Sequence, residues 1–296
     1  MNTGHETPSS EHERLVQRHY DTMTKGYYLQ WNPDHFHMGL FNPGERPGHN
    51  EEMKYSEGLA RALERMIEVI VAPAEIDERH HVVDAGCGVG GTAIYLARMH
   101  GCRVTGINLS RVQLELADKK ALDADLDDRV RFEYADCSRY LPFTDASVDV
   151  VVNMESARHY SDRRRFLSEV YRILKPGGKI VATDWMCRDG LKANQYDIFI
   201  RPLCKAWLLH DLESQFTYTR LLHEAGLEVI EFEGFGGKVL DNLHILKNIY
   251  QSFRLIRLSG INAPSVIKVM DRTAKIHDAW RNTCFDIRRY YALKPQ

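Results

Sequence analysis

The run Asp84-Ala85-Gly86-Cys87-Gly88-Val89-Gly90-Gly91 has the residue types of a ligand loop. Glycines where a strand turns into a helix let the backbone approach a ligand closely and expose helix N–H groups. An acid just ahead of them suits a cationic ligand end, such as an amino group, rather than a pyrophosphate. The run lacks the Gly-Lys-Ser/Thr of a phosphate-binding loop. Further along, Gly106-Ile107-Asn108-Leu109-Ser110 stands where a ribose-binding position is expected. Tyr134-Ala135-Asp136-Cys137 puts an acid where an adenine amino group can be met. In Asn153-Met154-Glu155-Ser156-Ala157-Arg158-His159-Tyr160, Glu155 and His159 are four apart, so a helical turn would bring them to one face. A histidine of ordinary basicity can take a proton at neutral pH, and a carboxylate can stabilise a developing cation. Asp184 is a third candidate of this kind. Upstream, residues 14–41 are rich in aromatics and histidine.

These groups need a frame, and the hydrophobic pattern supplies one. Apolar residues at helical spacing (Leu59, Leu63, Met66, Ile67, Ile70) predict a helix over 51–71. Strands follow at 80–84, 103–107, 130–134, 148–153 and 179–184. Helices at 91–100, 110–122 and 163–174 separate them. Ser110-x-x-Gln113 reads as a capping box, and Pro176-Gly177-Gly178 reads as a stop before the fifth strand. Strands alternating with helices imply right-handed crossovers and a parallel sheet covered on both faces. Beyond Asp184 the rhythm predicts a helix over 191–210 broken near Pro202, a helix at 217–225 and a strand at 228–233. A long helical, aromatic-rich stretch at 239–280 and a last strand at 285–293 complete the chain. The expected fold is α/β: a Rossmann-like, seven-stranded, mostly parallel sheet with helices on both faces, N-terminal lid helices and a helical substrate cap. The chain divides into a lid segment (1–75), a core (76–186) and the rest of the sheet with an inserted cap (187–296), all in one large domain.

Composition narrows the function. With 39 Lys plus Arg against 41 Asp plus Glu, the net charge of −2 gives no electrostatic case for a nucleic-acid binder. No run approaches 18 apolar residues, so no membrane span is expected. Six scattered cysteines form no C-x-x-C pair or zinc spacing. They read as free thiols of a cytoplasmic protein without a metal site.

Taken together, the loop and strand-end motifs over residues 80–185, with Leu174-Lys175-Pro176-Gly177-Gly178-Lys179, resemble a class I S-adenosyl-L-methionine-dependent methyltransferase. A nicotinamide dehydrogenase is the competitor on fold, but it expects G-x-G-x-x-G and an acid where this chain has Asn108. The run Tyr20-Asp21-x-x-Thr24-x-x-Tyr27-Tyr28-x-x-Trp31-x-x-x-x-Phe36-His37-x-Gly39 resembles the start of sterol and tocopherol C-methyltransferases and related bacterial natural-product enzymes. There this segment closes over the cofactor. The resemblance implies S-adenosyl-L-methionine held by Asp84, Gly86 and Gly88 at its methionine end. Asn108 and Leu109 would bracket the ribose, and Asp136 and Cys137 the adenine, with Gln113, Asn153 and Tyr28 completing the set. Asn108 stands where an acid is common. Glu155, His159 and Tyr20 are the implied catalytic residues. Trp31, His37, Tyr196, Phe199 and Trp207 are the implied pocket residues, from a lid and from the stretches 186–216 and 238–280, which also hold Tyr250, Phe253 and Trp280. The implied reaction is C-methylation of a small lipophilic acceptor, an isoprenoid or prenylated indole alkaloid of the teleocidin kind, through a carbocation. O-methylation of a polyketide or macrolide is the alternative. Arg158, where sugar O-methyltransferases carry the first of two histidines, weighs against it. A cofactor-binding cyclase of the same fold is a further alternative, and a homo-oligomer is a possible assembly.

Overall fold

The computed structural model describes residues 10–42, 57–239, 275, 276, 279 and 283–296. Helix α1 (Glu11–Gln30) opens at Ser10, whose hydroxyl accepts from the amides of His12 and Glu13. An irregular strap, 31–42, leads out of it. Helix α2 (Glu57–Val71) follows, then the alternation β1 (His81–Ala85), α3 (Gly91–His100), β2 (Arg103–Asn108), α4 (Arg111–Asp123), β3 (Val130–Tyr134), β4 (Val148–Met154), α5 (Arg163–Ile173) and β5 (Leu174–Cys187). The second half adds α6 (Ala193–Gln195), α7 (Arg201–Trp207), α8 (Gln215–Glu224), β6 (Glu228–Gly234) and β7 (Phe285–Leu293).

All seven strands join one sheet in the order β3-β2-β1-β4-β5-β7-β6. β1 to β5 run parallel, and β7 lies antiparallel between β5 and β6. The alternation of side chains along β1 sends Val82 to one face and Val83 and Ala85 to the other. On the first face Leu63, Met66, Ile67 and Ile70 of α2 join Leu96 of α3 in a closed core. On the second, Phe166, Val170 and Ile173 of α5 meet Tyr218 and Leu222 of α8. Each such side chain contributes about 1.5–3 kcal/mol by leaving water. Strand order reverses between β1 and β4, so the loops that follow these two strands part to opposite faces and leave a crevice at their carboxyl ends.

Three local expectations are corrected. Pro176-Gly177-Gly178 does not stand ahead of the fifth strand but forms a bulge within it, because β5 already begins at Leu174. The partner of Val148 is Leu174 and that of Val150 is Lys179, with Gly177 at φ +75°. The helix expected over 191–210 is broken into α6, a π-turn (Tyr196–Ile200) and α7, and ends at Leu208 in the left-handed region. Half of the Ser110–Gln113 box forms. Ser110 Oγ accepts from the Gln113 amide, but the Gln113 side chain turns to Asn108. Tyr250, Phe253 and Trp280, and all of the helical stretch expected over 239–280 except residues 239, 275, 276 and 279, lie outside the described residues.

Candidate active site

A cavity of about 950 Å3, part of it open to solvent, fills the crevice at the switch point. At one end lies the glycine loop. Gly86, Gly88 and Gly90 all have positive φ. A side chain on Gly86 would strike Ser156, whereas one on Gly88 would meet nothing and would fill the cavity itself. The loop is held by the carbonyl of Ile107, which accepts from the amides of Gly86 and Cys87 at 2.8 and 3.0 Å. Asp84 is fully buried at the end of β1. Burial pushes its carboxyl up to about 7, against one stabilising hydrogen bond from the Ala93 amide, and its Oδ2 has no partner. Buried carboxylate oxygens without partners are costly, so a cationic ligand end fits here.

Asn108 lines the cavity, but its amide is committed inside the protein. Nδ2 donates to Gly88 O at 3.2 Å and to Gln113 Oε1 at 2.7 Å, and Oδ1 accepts from the Leu109 amide at 2.9 Å. This leaves the buried Gln113 Nε2 as a donor without a partner. Gln113 can therefore offer the ribose the donor hydrogen that Asn108 has spent. Leu109, Asp136 and Cys137 line the same end. Asp136 Oδ1 accepts from the amide and hydroxyl of Ser138 at 3.0 and 2.6 Å, and burial pushes the Cys137 thiol up to about 12. Two orphaned groups of opposite hydrogen-bonding sense, an open glycine and an acid at the third strand end fit the amino group, ribose and adenine of a sulfonium cofactor.

The lid and strap form the roof. α1 is tied down by polar contacts. Ser110 Oγ donates to Asp21 at 2.5 Å, and Glu13 Oε1 accepts from Ser138 Oγ at 3.2 Å and from the Ser161 amide at 2.9 Å. Burial pushes the Glu13 carboxyl up, but hydrogen bonds from Ser10 and Ser161 outweigh it and hold it below the usual range. The strap is fixed differently. Its Met38 amide donates to Glu155 Oε1 at 2.7 Å, and Lys120 grips Pro33 O and Asp34. A methyl group on Gly91 would overlap the Asp34 carbonyl, so only glycine lets the strap lie on the start of α3.

The acid and histidine of the fourth strand end share the cavity but not each other. Glu155 sits at φ +52°, a conformation that costs a non-glycine residue about 1–3 kcal/mol. Its Oε2 accepts from Arg158 at 3.0 Å and from the Trp185 indole at 2.7 Å. A 3-10 turn (Ala157–His159), not an α-helix, follows, so His159 points elsewhere than the helical spacing predicts. His159 Nδ1 faces the carbonyl of Leu208 at 2.9 Å, and Nε2 lies 3.0 Å from the Tyr20 hydroxyl. A carbonyl only accepts, so Nδ1 carries the hydrogen and Nε2 accepts from Tyr20. Burial, with Arg158 nearby, lowers the His159 pKa well below its ordinary value. Catalytic candidates from the lid and the core thus meet as one Tyr20–His159 pair.

Other expected residues lie elsewhere. Asn153 is wholly buried and braces the loop through Ala85 O and Ser156. Asp184 accepts from Tyr218 at 2.5 Å beneath the site. Trp31 packs in the core and donates to His37 O, and Tyr28 lies by Lys120, 5.5 Å from ring centre to ammonium. Tyr196, Phe199 and Trp207 do not line the cavity; they pack against the core beside Trp185, with Trp207 6.0 Å from it. Among the described residues of the expected pocket group, only His37 reaches the cavity. The sequence reading left Glu13, His35, Ser156 and Tyr160 out of the site, and these line it with Arg158. Arg158, three residues after Glu155, carried an ion-pair signal. Glu13 and His35 carried none, because a lid and a strap bring them in.

A model described as a methyltransferase domain matches residues 83–182. The chain is 34% identical to Methyltransferase GfsG of Streptomyces halstedii over 205 residues, 69% of this chain and 72% of that protein. It is 31% identical to the probable chloroplastic tocopherol O-methyltransferase of Oryza sativa subsp. japonica over 71% of this chain, spanning 59% of that relative's length. Among solved structures, the [4+2]-cyclase SpnF superposes with a TM-score of 0.77 at 21% identity, covering 98% of both chains. Geranyl diphosphate C-methyltransferase of Streptomyces coelicolor A3(2) superposes with a TM-score of 0.73 at 20% identity, covering 97% of this chain and 100% of that one.

Proposed function

We propose that this chain, which belongs to the class I S-adenosyl-L-methionine-dependent methyltransferases, methylates an uncharged, lipophilic small molecule, at carbon of a prenyl-type alkene. S-adenosyl-L-methionine supplies an electrophilic methyl group together with its own leaving group. The protein's part is then to align, to exclude water and to manage one proton. Asp84 and Gln113 anchor one end of the cavity, and the roof of α1 and strap closes it. We assign Phe36, Met154 and the ring of Tyr20 among the lining residues to the acceptor end. Aromatic faces and a carboxylate stabilise a cation there, by about 0.5–2 kcal/mol per ring contact.

The observation that carries this reading is the state of the bases. His159 is held neutral and weakly basic, and both of its nitrogens are engaged. A weak base cannot strip an ordinary alcohol, but a carbocation is far more acidic, and the Tyr20 hydroxyl can take its proton while passing its own to His159 Nε2. The charge in the cavity also argues for an acceptor without a diphosphate. Among the described lining residues the one arginine or lysine is Arg158, already paired with Glu155. In the geranyl diphosphate enzyme the acceptor carries that charge. A second reading, O-methylation, draws on the Tyr20–His159 pair as a proton relay from an acidic hydroxyl and on the tocopherol relative's name.

Incubation with methyl-labelled cofactor and prenylated indoles, free phenols and hydroxylated macrolides separates these readings. Label on carbon of the prenyl group is the expected result. Label on oxygen selects the second reading. No transfer in the presence of tight binding of S-adenosyl-L-homocysteine selects a non-methylating cyclase.

A further inference from the structure

Among the described residues of the acceptor end, His37 is a base whose lone pair no protein group uses. His37 lies in the strap, 6% exposed, and lines the cavity beside Glu155. Its Nδ1 is 2.9 Å from the carbonyl of Met38, so Nδ1 carries the hydrogen and Nε2 presents a lone pair. That Nε2 is buried and has no hydrogen-bond partner. The other candidates differ. Glu155 accepts from Met38, Arg158 and Trp185, and His159 Nε2 accepts from Tyr20. The ring is also rigid. The next residue's amide is fixed to Glu155 Oε1, and the Trp31 indole donates to the His37 carbonyl at 3.2 Å. A rotamer-locked acceptor atom with an unmet hydrogen bond is how a pocket recognises a donor.

We propose that His37 Nε2 accepts a hydrogen bond from an O–H or N–H on the methyl acceptor, and so determines specificity for lipophilic acceptors that carry such a donor apart from the methylated carbon. This rests on the reading of the cavity as the acceptor site. It adds that a pure hydrocarbon chain is a poor ligand and that the donor lies on the strap side of the pocket. Neighbouring His35, 5.2 Å away between ring centres, has its own unpartnered Nδ1. That atom lies at Gly91, at the start of α3, so the two rings need not share one ligand group.

The test uses the full chain, labelled with 15N-histidine and saturated with S-adenosyl-L-homocysteine. The paired probes are geraniol with geranyl methyl ether, and indole with N-methylindole. The expected result is an upfield move of the His37 Nε2 resonance with geraniol and indole only, and at least about tenfold tighter binding of each donor than of its methylated partner. His37→Phe abolishes that preference, and His37→Gln, whose amide oxygen accepts, restores part of it. Equal binding within each pair, a preference that survives in His37→Phe, or no binding of any probe at millimolar concentration would overturn the proposal. So would a move of the resonance on adding S-adenosyl-L-homocysteine alone, which would make His37 a cofactor contact. S-adenosyl-L-homocysteine affinity, measured separately by calorimetry, reports the fold of both variants and the cofactor reading independently.

Discussion

The two ends of the cavity are built on opposite principles. At the end formed by β1, β2 and β3, buried polar atoms are left open: Asp84 Oδ2 and Gln113 Nε2 have no partner. At the end formed by β4 and β5, the charges of Glu155, Arg158 and Asp184 are paired with one another, and the lining atoms left open there are Arg158 Nε and, on the strap, His37 Nε2. Arg158 lies 3.0 Å from Glu155 and 3.9 Å from Asp184, with its guanidinium 4.6 Å above the Trp185 ring. An unmet buried group costs about 1–3 kcal/mol, which a ligand returns on binding. A saturated group returns nothing and instead holds shape. The open end therefore reads as the place where binding energy is gathered, and the closed end as a preset wall against which an acceptor is aligned.

The largest expected effect tests the closed end. Arg158→Met leaves Glu155 and Asp184 buried without their cation, and urea denaturation should show a loss of about 3–5 kcal/mol. A loss below about 1 kcal/mol would erase the contrast. The same change at the open end should act on binding rather than on folding. Asp84→Asn should weaken S-adenosyl-L-homocysteine by about 10–100-fold in calorimetry, with no loss of stability in the cofactor-free protein. The sign follows from the raised carboxyl. Its folded value is about 7, while in the unfolded chain it ionises near about 4. The folded state thus holds the extra proton between these values, and the cofactor-free protein loses stability through Asp84 as pH rises from about 4 to about 7. Asp84→Asn removes that slope. Binding an amino cation should release close to one proton from Asp84 at pH about 6 and almost none at pH about 8. Comparing binding enthalpies in buffers of different ionisation heat measures it.

Two smaller effects sharpen the roles of strap and lid, which bridge the ends. Gly91→Ala sets a methyl group against the Asp34 carbonyl. It should cost about 1–3 kcal/mol by overpacking and lower turnover by displacing the strap that carries His37. Tyr20→Phe removes one hydrogen bond, worth about 0.5–1.5 kcal/mol. Single-turnover rates should fall about tenfold and the thermal midpoint by no more than about a few degrees, while S-adenosyl-L-homocysteine affinity holds. Because His159 titrates well below neutrality, it should add no inflection to the wild-type rate between pH about 6 and about 8.

The sheet was legible from the sequence because buried parallel strands are short apolar runs and amphipathic helices repeat their own period. Five strands and the helices between them follow from that local grammar. So does the glycine loop, since only glycine adopts its backbone freely. The break near Pro202 in the stretch 191–210 was legible, but the π-turn before it was not, because composition does not mark one. Tyr196, Phe199 and Trp207 were misplaced because an aromatic stripe looks the same facing core or cavity.

The residues themselves determined that an acid stands before a glycine turn, that an acid and a histidine follow the fourth strand, and that an aromatic segment precedes the core. Spacing along a chain fixes which residues can be neighbours within one element. Which lone pairs remain free was decided by the tertiary structure alone. Whether Glu155 meets the Met38 amide, whether His159 takes the Tyr20 hydroxyl, and whether His37 is left waiting all depend on segments more than a hundred residues apart packing in one crevice. Hydrogen bonds act over about 3 Å, and no pattern along a sequence sets distances of that kind.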